Sequence, residues 1–312
     1  MAKKLFALDW RVYAMFEGFC KIASAVCQKF IGDRMHTFGL GTAISTIVGA
    51  VQFVGSALLV LATVPKGKRK EALVPNPTGL AYLIGAGTGI AIFGTLLSIY
   101  TFALEAELGP RTLIVNSVMV WSAIAGRLIW RDPLGMRQVG GIVLYCGAAW
   151  GMIDFMPLDL FLTLPWWFFV SLAVALGNAF NYVCLRKAKD HGVGEPFVQN
   201  FWIGLMTALT CGALFLVFLA AGEESVRGMT AEVAELSVLL GVIAIGVIAF
   251  IALANVGGAS TGLQNAIMQA VYLIGMWLIG MVWFNDPYTD ERLMGALLFF
   301  PAVYLMAGAK KK

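Results

Sequence analysis

An all-α integral membrane protein, with ten transmembrane helices arranged as two inverted five-helix repeats, is the fold these 312 residues predict. Three observations predict it. The chain is 60% hydrophobic and only 13% charged, with a mean hydropathy of +0.82, whereas a soluble domain averages about 25% charged and about 45–50% apolar residues. Ten apolar runs of membrane-crossing length follow one another with short breaks. Two stretches 154 residues apart, close to half the chain, end in the same way. This composition excludes a soluble enzyme, a secreted disulfide scaffold and a disordered chain.

A helix needs about 20 apolar residues to cross a hydrocarbon core of about 30 Å. The runs lie near 11–31, 40–64, 79–104, 110–130, 137–156, 163–185, 197–221, 235–255, 260–284 and 292–309. The first contains Glu17 and Lys21 and leads to no small-residue cleavage site, so it is not expected to be a cleavable signal peptide. A basic turn, residues 65–70, follows the second. Gly109-Pro110 separates the third from the fourth, Asp132-Pro133 ends the fourth, and Asp286-Pro287 ends the ninth. Helices are expected throughout, because backbone in lipid must satisfy its own hydrogen bonds. The alternation of a lipid-spanning barrel is missing from these runs.

Basic residues set the expected orientation. With the N-terminus in the cytoplasm, 16 of the 22 Lys and Arg residues fall inside. Five fall outside (Lys29, Arg34, Arg111, Arg227 and Arg292), and Lys21 lies within the membrane. The positive-inside rule has this sign, and an even number of spans puts both termini in the cytoplasm. Residues 1–156 and 157–312 then form the two repeats of one membrane domain. Residues 109–133 and 263–287 each close with a bulky aromatic, one polar residue and Asp-Pro. Each continues to an Arg (Arg137, Arg292) and a Gly three residues on. Five helices per half is odd, so the second copy is inverted. Inverted repeats place a substrate site at the midplane and permit alternating access.

The candidate site residues are polar groups on apolar helices. Glu17 and Lys21 lie one turn apart on one face, with Ser24 and Gln28 extending the stripe. A charge at the bilayer centre costs about 2.5–3.5 kcal/mol, so such groups face a cavity or a partner. Glu17 is then a cation or proton site and Lys21 an anion site; the plainer alternative is an ion pair that packs the first helix. Asn265, Gln269 and Tyr272 share a face of the ninth run, and Ser171, Asn178 and Asn181 share one on the sixth. These stripes could instead join helices, at about 0.6–2 kcal/mol each. Asn116 and Trp121 point about 140° apart on a continuous helix. Trp121, nearer mid-helix, is the preferred cavity residue of the two.

Other features are expected to be structural. Gly85-x-Gly87-x-Gly89 lies inside an apolar run with no strand before it, so it is not a dinucleotide loop. The Gly85/Gly89 and Gly147/Gly151 spacings suit helix packing. Five cysteines without a C-x-x-C pair suggest neither a disulfide framework nor a zinc site, and no metal or cofactor is expected. The cluster Lys66, Lys68, Arg69 and Lys70 is a topology anchor that favours anionic lipid headgroups; nucleic acid is not an expected partner. Asp132 and Asp286 are expected to organise helix ends. A catalytic pair is not expected, since inversion puts them on opposite sides.

Tyr100-Thr-Phe-Ala-Leu104 followed by Gly109-Pro110, Asp132 eight residues before Gly140, and Asp286 nine before Gly295 carry a family likeness. In these motifs the chain resembles the drug/metabolite transporter superfamily, in its EamA-like branch. It departs from the family's pattern in having Asp-Pro where Glu is usual, and Glu17-Gly18 where Trp-Gly is frequent. The resemblance implies about 300 residues in ten helices as inverted repeats, a transport function and a bacterial inner membrane location.

The expected function is a secondary transporter of a small polar or amphipathic metabolite, monomeric or homodimeric, with proton coupling through Glu17 as a further expectation. An amino acid or other zwitterion comes first as cargo, and an aromatic or purine-like compound second. The alternative is a membrane-embedded enzyme acting on a lipid-linked substrate. That would call for His, Asp or Glu clustered at one interface, whereas His36 and His191 stand apart in separate polar breaks.

Overall fold

The computed structural model describes residues 9–69, 73–132, 134–157, 163–222, 228–256 and 261–307. Among them every regular element is helical. The long helices are α1 (Trp10–Gly32), α2 (Phe38–Thr63), α3 (Pro77–Ala103), α4 (Leu108–Trp130), α5 (Met136–Gly151), α6 (Trp166–Asp190), α7 (Pro196–Ala220), α8 (Ala231–Val256), α9 (Thr261–Trp283) and α10 (Asp290–Ala307). Their starts follow local chemistry. Thr37 accepts from Leu40 N–H (3.1 Å), Asn76 from Gly79 N–H (2.7 Å) and Glu195 from Val198 N–H (2.6 Å), each satisfying a donor the helix leaves unpaired. Pro77 and Pro196 occupy first-turn positions, where a missing N–H costs nothing.

Six of the helices, α2, α3, α4, α6, α7 and α8, are long and apolar enough to cross a membrane. Of the others, three fall short for visible reasons. Glu17, Lys21 and Lys29 interrupt the apolar surface of α1, and α5 has 16 residues. α10 opens on Asp290 and Glu291 and carries Pro301 inside, while the described side chains of α9, Ile267–Trp283, form a further apolar stretch. Large apolar side chains such as Leu58, Leu128, Val143 and Leu216 point outward from the bundle. That arrangement suits lipid rather than water as the surrounding solvent. The chain is an all-α membrane protein.

The packing relates the two halves helix by helix. α2 packs against α7, and α5 against α10. α1 lies on α8 and α9, while α6 lies on α3 and α4. Two of these contacts are close backbone approaches. A Cβ on Gly49 would come within 2.5 Å of Ala208 N, and one on Gly204 within 2.5 Å of Phe53 N, which is how α2 and α7 meet. Gly151 stands in the same way against Gly295 between α5 and α10. Small residues are what permit such crossings. Gly85 and Gly89 meet only ordinary or slightly tight contacts with α6.

The two Asp-Pro motifs fold alike. Asp132 N–H returns to Gly126 O (3.2 Å) and Asp286 N–H to Gly280 O (3.0 Å). The residue before each aspartate is left-handed, Arg131 at φ 57° and Asn285 at φ 54°. Both carboxylates fold back over the glycine that accepts the bond, where a side chain would collide.

Candidate functional site

A cavity of about 340 Å³ lies among helices of both halves. α1 contributes Lys21, Ser24 and Gln28, and α4 contributes Arg111 and Asn116. α6 adds Asn178, Asn181 and Tyr182, and α9 adds Gln269 and Tyr272. Gln52 of α2 and Asn200 of α7 reach it as a bonded pair, with Asn200 Nδ2 also donating to Ser56 Oγ (2.7 Å). On α3 the helix widens to π geometry over Ile90–Leu96, and Gly94 and Thr95 of that segment line the wall. Such bulges recur at functional sites because they re-aim one turn of side chains. A second lobe of about 410 Å³ shares Lys21, Val118, Tyr182 and Gln269 with the first. It runs past Ser122 and Gln138 to Arg186 and Met306, towards the helix ends that carry Asp132.

The charges in this space are unequal. Lys21 Nζ lies 3.3 Å from Glu17 Oε1, with Lys21 at the cavity and Glu17 behind it, its residue only 1% exposed. Arg111, expected from its place at the edge of a run to lie in an outer loop, is instead 2% exposed in the first turn of α4. Its Nε donates to Thr101 Oγ1 (3.0 Å), and its Nη2 to Ser98 O (3.0 Å), Ser98 Oγ and Gln28 Oε1 (3.5 Å). The guanidinium also stacks over the Phe102 ring at 4.4 Å. Ser98 Oγ donates to Gln28 Oε1 (2.9 Å), so α1, α3 and α4 meet around Arg111.

The candidates from sequence thus separate by position. Lys21, Asn178, Asn181, Gln269 and Tyr272 come together on the cavity wall. Glu17 stands one turn behind Lys21. Trp121 lines neither lobe; it is half-buried and its Nε1 donates to Ser117 Oγ (3.2 Å), while Asn116 takes the wall position. The helix breaks at Ser117, between Leu108–Asn116 and Val118–Trp130, so a wheel drawn through both halves misplaces one of them. Ser171 turns its hydroxyl back to Trp167 O (2.7 Å). The side chain of Asn265 lies outside the described residues. Arg111 is the main wall residue absent from the sequence candidates; a basic residue directly after Gly109-Pro110, inside an apolar run, is the only signal that could have marked it.

Beyond the cavity the ends of the bundle differ. At the Asp286 end, Asp286 Oδ2 accepts from Leu108 N–H (2.8 Å) and Gly109 N–H (3.4 Å), capping α4. Arg292 binds Glu107 and also Asp154 (3.3 Å), while Thr289 Oγ1 donates to Asp154 Oδ1 (2.6 Å). Burial pushes the Glu107 carboxyl above its ordinary value, against the pull of Arg292. Burial also raises Asp286, against its two backbone donors, Lys29 and Arg292. At the Asp132 end Arg186 binds Asp132 at 2.5 Å, with both side chains 45% exposed. Trp130 lies under Arg186 (4.2 Å) and donates to Asp190 (2.9 Å). Among the described residues no group of three or more His, Cys, Asp or Glu is placed to hold a metal.

No family model matches the chain, and no curated protein matches it. A crystal structure of a protein 15% identical in sequence superposes with a TM-score of 0.58, over 95% of this chain and 97% of that one. At that identity the likeness concerns the fold alone.

Proposed function

We propose that the chain is a secondary transporter that carries a small polar metabolite across a membrane by alternating access. The observation that carries this reading is the polar cavity between the halves, continuous with a lobe reaching one end, where the tie is the exposed Asp132–Arg186 pair, while the other end is tied by the less exposed Arg292 cluster. Its volume falls within the range of about 300–1,000 Å³ of small-molecule sites. The contact pattern supports two five-helix repeats, 1–156 and 157–312, since α1 meets α8 and α9 as α6 meets α3 and α4, and α2 meets α8 as α7 meets α3. The matched Asp-Pro closures support it too. An odd helix count per repeat makes them inverted and the spans ten.

With the basic residues inside, the Asp132 end faces the cytoplasm, and the described conformation is open inward and closed outward. A multi-pass position in a bacterial inner membrane belongs to the same reading. So does proton coupling through Glu17, whose neutralisation would release Lys21. Glu17→Gln should then flatten the pH dependence of transport; an unchanged profile would remove that step.

The test of alternating access is a reversible lock. Asp154 and Thr289 touch across the closed end, so the double variant Asp154→Cys/Thr289→Cys, oxidised in proteoliposomes, should lose uptake and regain it on reduction. Wild-type uptake by the cross-linked protein would refute the mechanism.

A further inference from the structure

We propose that Arg111 is the anion-binding residue of the cavity, and that the cargo is a small organic acid bearing one carboxylate beside neutral hydrogen-bonding groups. The proposal rests on the transporter reading and adds what the cavity selects. Among the described residues, every side-chain hydrogen bond of Arg111 goes to a neutral group: the Thr101 and Ser98 hydroxyls, the Ser98 carbonyl and the Gln28 amide. Among the described residues no carboxylate lies within ion-pair distance of it. A guanidinium does not shed its proton in a protein, and burying an unpaired charge is strongly unfavourable. The fold therefore holds a fixed positive charge at the cavity wall, compensated only by neutral dipoles. Lys21 does not share this role, because Glu17 already offsets it at 3.3 Å.

A second, independent observation points to a ligand. Asn116 Nδ2, Asn181 Oδ1 and Gln269 Oε1 have no hydrogen-bond partner among the described residues, although each residue is only 5% exposed. All three belong to the wall that Arg111 lines. Buried polar atoms are nearly always satisfied, so one unpaired donor (Asn116) and two unpaired acceptors (Asn181 and Gln269) on one wall match a polar molecule that brings both an acceptor and neutral donors.

The charge balance narrows its chemistry. Glu17, Lys21 and Arg111 together leave one positive charge, which suits a monoanion. A phosphate monoester carries about −1.5 to −2 near neutrality and would leave negative charge over. An ammonium group would find no carboxylate on the wall, since Glu17 is behind Lys21. Monocarboxylates with hydroxyl or amide groups are therefore favoured over zwitterions, and zwitterions over amines. A planar carboxylate also matches the guanidinium fork.

The experiment is calorimetric titration of the full-length protein in nanodiscs, using probes of one skeleton that differ at one end. Benzoate, benzamide, benzylamine and phenyl phosphate form one set; lactate and lactamide form another, with L-phenylalanine as the zwitterion. An acid should bind at least tenfold more tightly than its amide, amine or phosphate counterpart. Arg111→Gln should abolish that preference and Arg111→Lys should keep part of it. Because Arg111 also joins three helices, Asn116→Asp provides a variant that leaves its bonds in place. A fixed carboxylate on the wall should weaken acid binding at least tenfold and admit the amine.

Equal binding of acid and amide, tighter binding of the amine, acid binding unchanged in Asn116→Asp, or no acid binding at all would each overturn the proposal. Proteoliposome uptake run alongside separates the two readings. Uptake of an amine or neutral probe in place of the acid keeps a transporter and discards the Arg111 assignment. Tight, Arg111-dependent acid binding without uptake keeps the anion site and discards transport.

Discussion

Asp132 and Asp286 occupy equivalent positions in the two halves, close their helices with the same backbone geometry and do different work. Asp286 reaches across to the other half and caps α4, beside an arginine that ties together two acidic groups. Asp132 also reaches across, binding Arg186 of α6 in an exposed pair, at the end towards which the second lobe of the cavity runs. The backbone turn is thus kept, while these bonds differ in burial. Both aspartates reach the other half, Asp286 through part-buried backbone donors and Asp132 through an exposed ion pair, and in the proposed mechanism the more buried engagement marks the closed end.

The most severe way to break the comparison is to remove the hub of the closed end. Arg292 is 12% exposed and holds Glu107 and Asp154, so Arg292→Met leaves two acids facing each other without a counter-charge. Breaking a fully buried pair costs about 3–5 kcal/mol. With the partners partly exposed, about 2 kcal/mol is the expected loss, read from the unfolding midpoint in detergent. The same variant should raise thiol-reagent labelling of a cysteine placed at Leu108. Unchanged stability and labelling would mean that this cluster does not seal the end.

Asp286→Ala should come second. It deletes the cap on Leu108 and Gly109, and a lost cap costs about 1 kcal/mol, up to about 2. The measurement is the same midpoint, with hydrogen exchange at the first turn of α4 as the local readout. Fast exchange confined to that turn is the expected pattern, and exchange spread over the bundle would assign Asp286 a global role instead.

What was legible in the sequence follows from which physical signals are one-dimensional. Apolar length is such a signal, and the helices cover the runs read from it. The Asp-Pro repeat is another, because the chain must turn the same way twice. The same logic explains the failures. Arg111 sits where an apolar run begins, and position along the chain does not distinguish a snorkelling arginine from one turned inward onto Phe102 and Ser98. Glu17 and Lys21 do share a face and do pair, but a helical wheel carries no depth, so it could not say that only Lys21 reaches the cavity. Asn116 and Trp121 exchange roles because α4 is interrupted at Ser117. Gln52 and Asn200 were invisible singly, being 148 residues apart and informative only as a pair.

A smaller effect is expected from pH, and it should be confined to the closed end. Glu107 and Asp286 both carry raised pKa values there, with burial as the main cause. A carboxyl raised in the folded state binds its proton more tightly folded than unfolded. Its contribution is therefore full below the ordinary carboxylate value and is lost as pH climbs from there through the raised one. The groups facing Glu107 (Arg292, Asp286 and Asp154) act together, so the fall belongs to the cluster. Unfolding midpoints measured across this window should decline as pH rises, and Glu107→Gln should reduce the slope. A midpoint that climbs over the same range would reverse the assigned sign.

Asp132→Asn should cost least in stability and is the variant that tests the comparison itself. Its pair with Arg186 is 45% exposed on both sides, and exposed ion pairs are worth about 0.2–1 kcal/mol. The Trp130 ring beneath the guanidinium retains part of the arginine's position when the carboxylate is neutralised. The unfolding midpoint should therefore move less than for Asp286→Ala. Transport should respond in the opposite order of severity: if the two ends alternate, the exposed Asp132–Arg186 contact between the halves must tighten whenever the outer end opens, and neutralising Asp132 penalises that state. A variant with near wild-type stability and clearly slowed uptake is the expected combination. Equal destabilisation by the two substitutions would show that the ends are alike in solution, and wild-type uptake would show that Asp132 has no part in closing its own end.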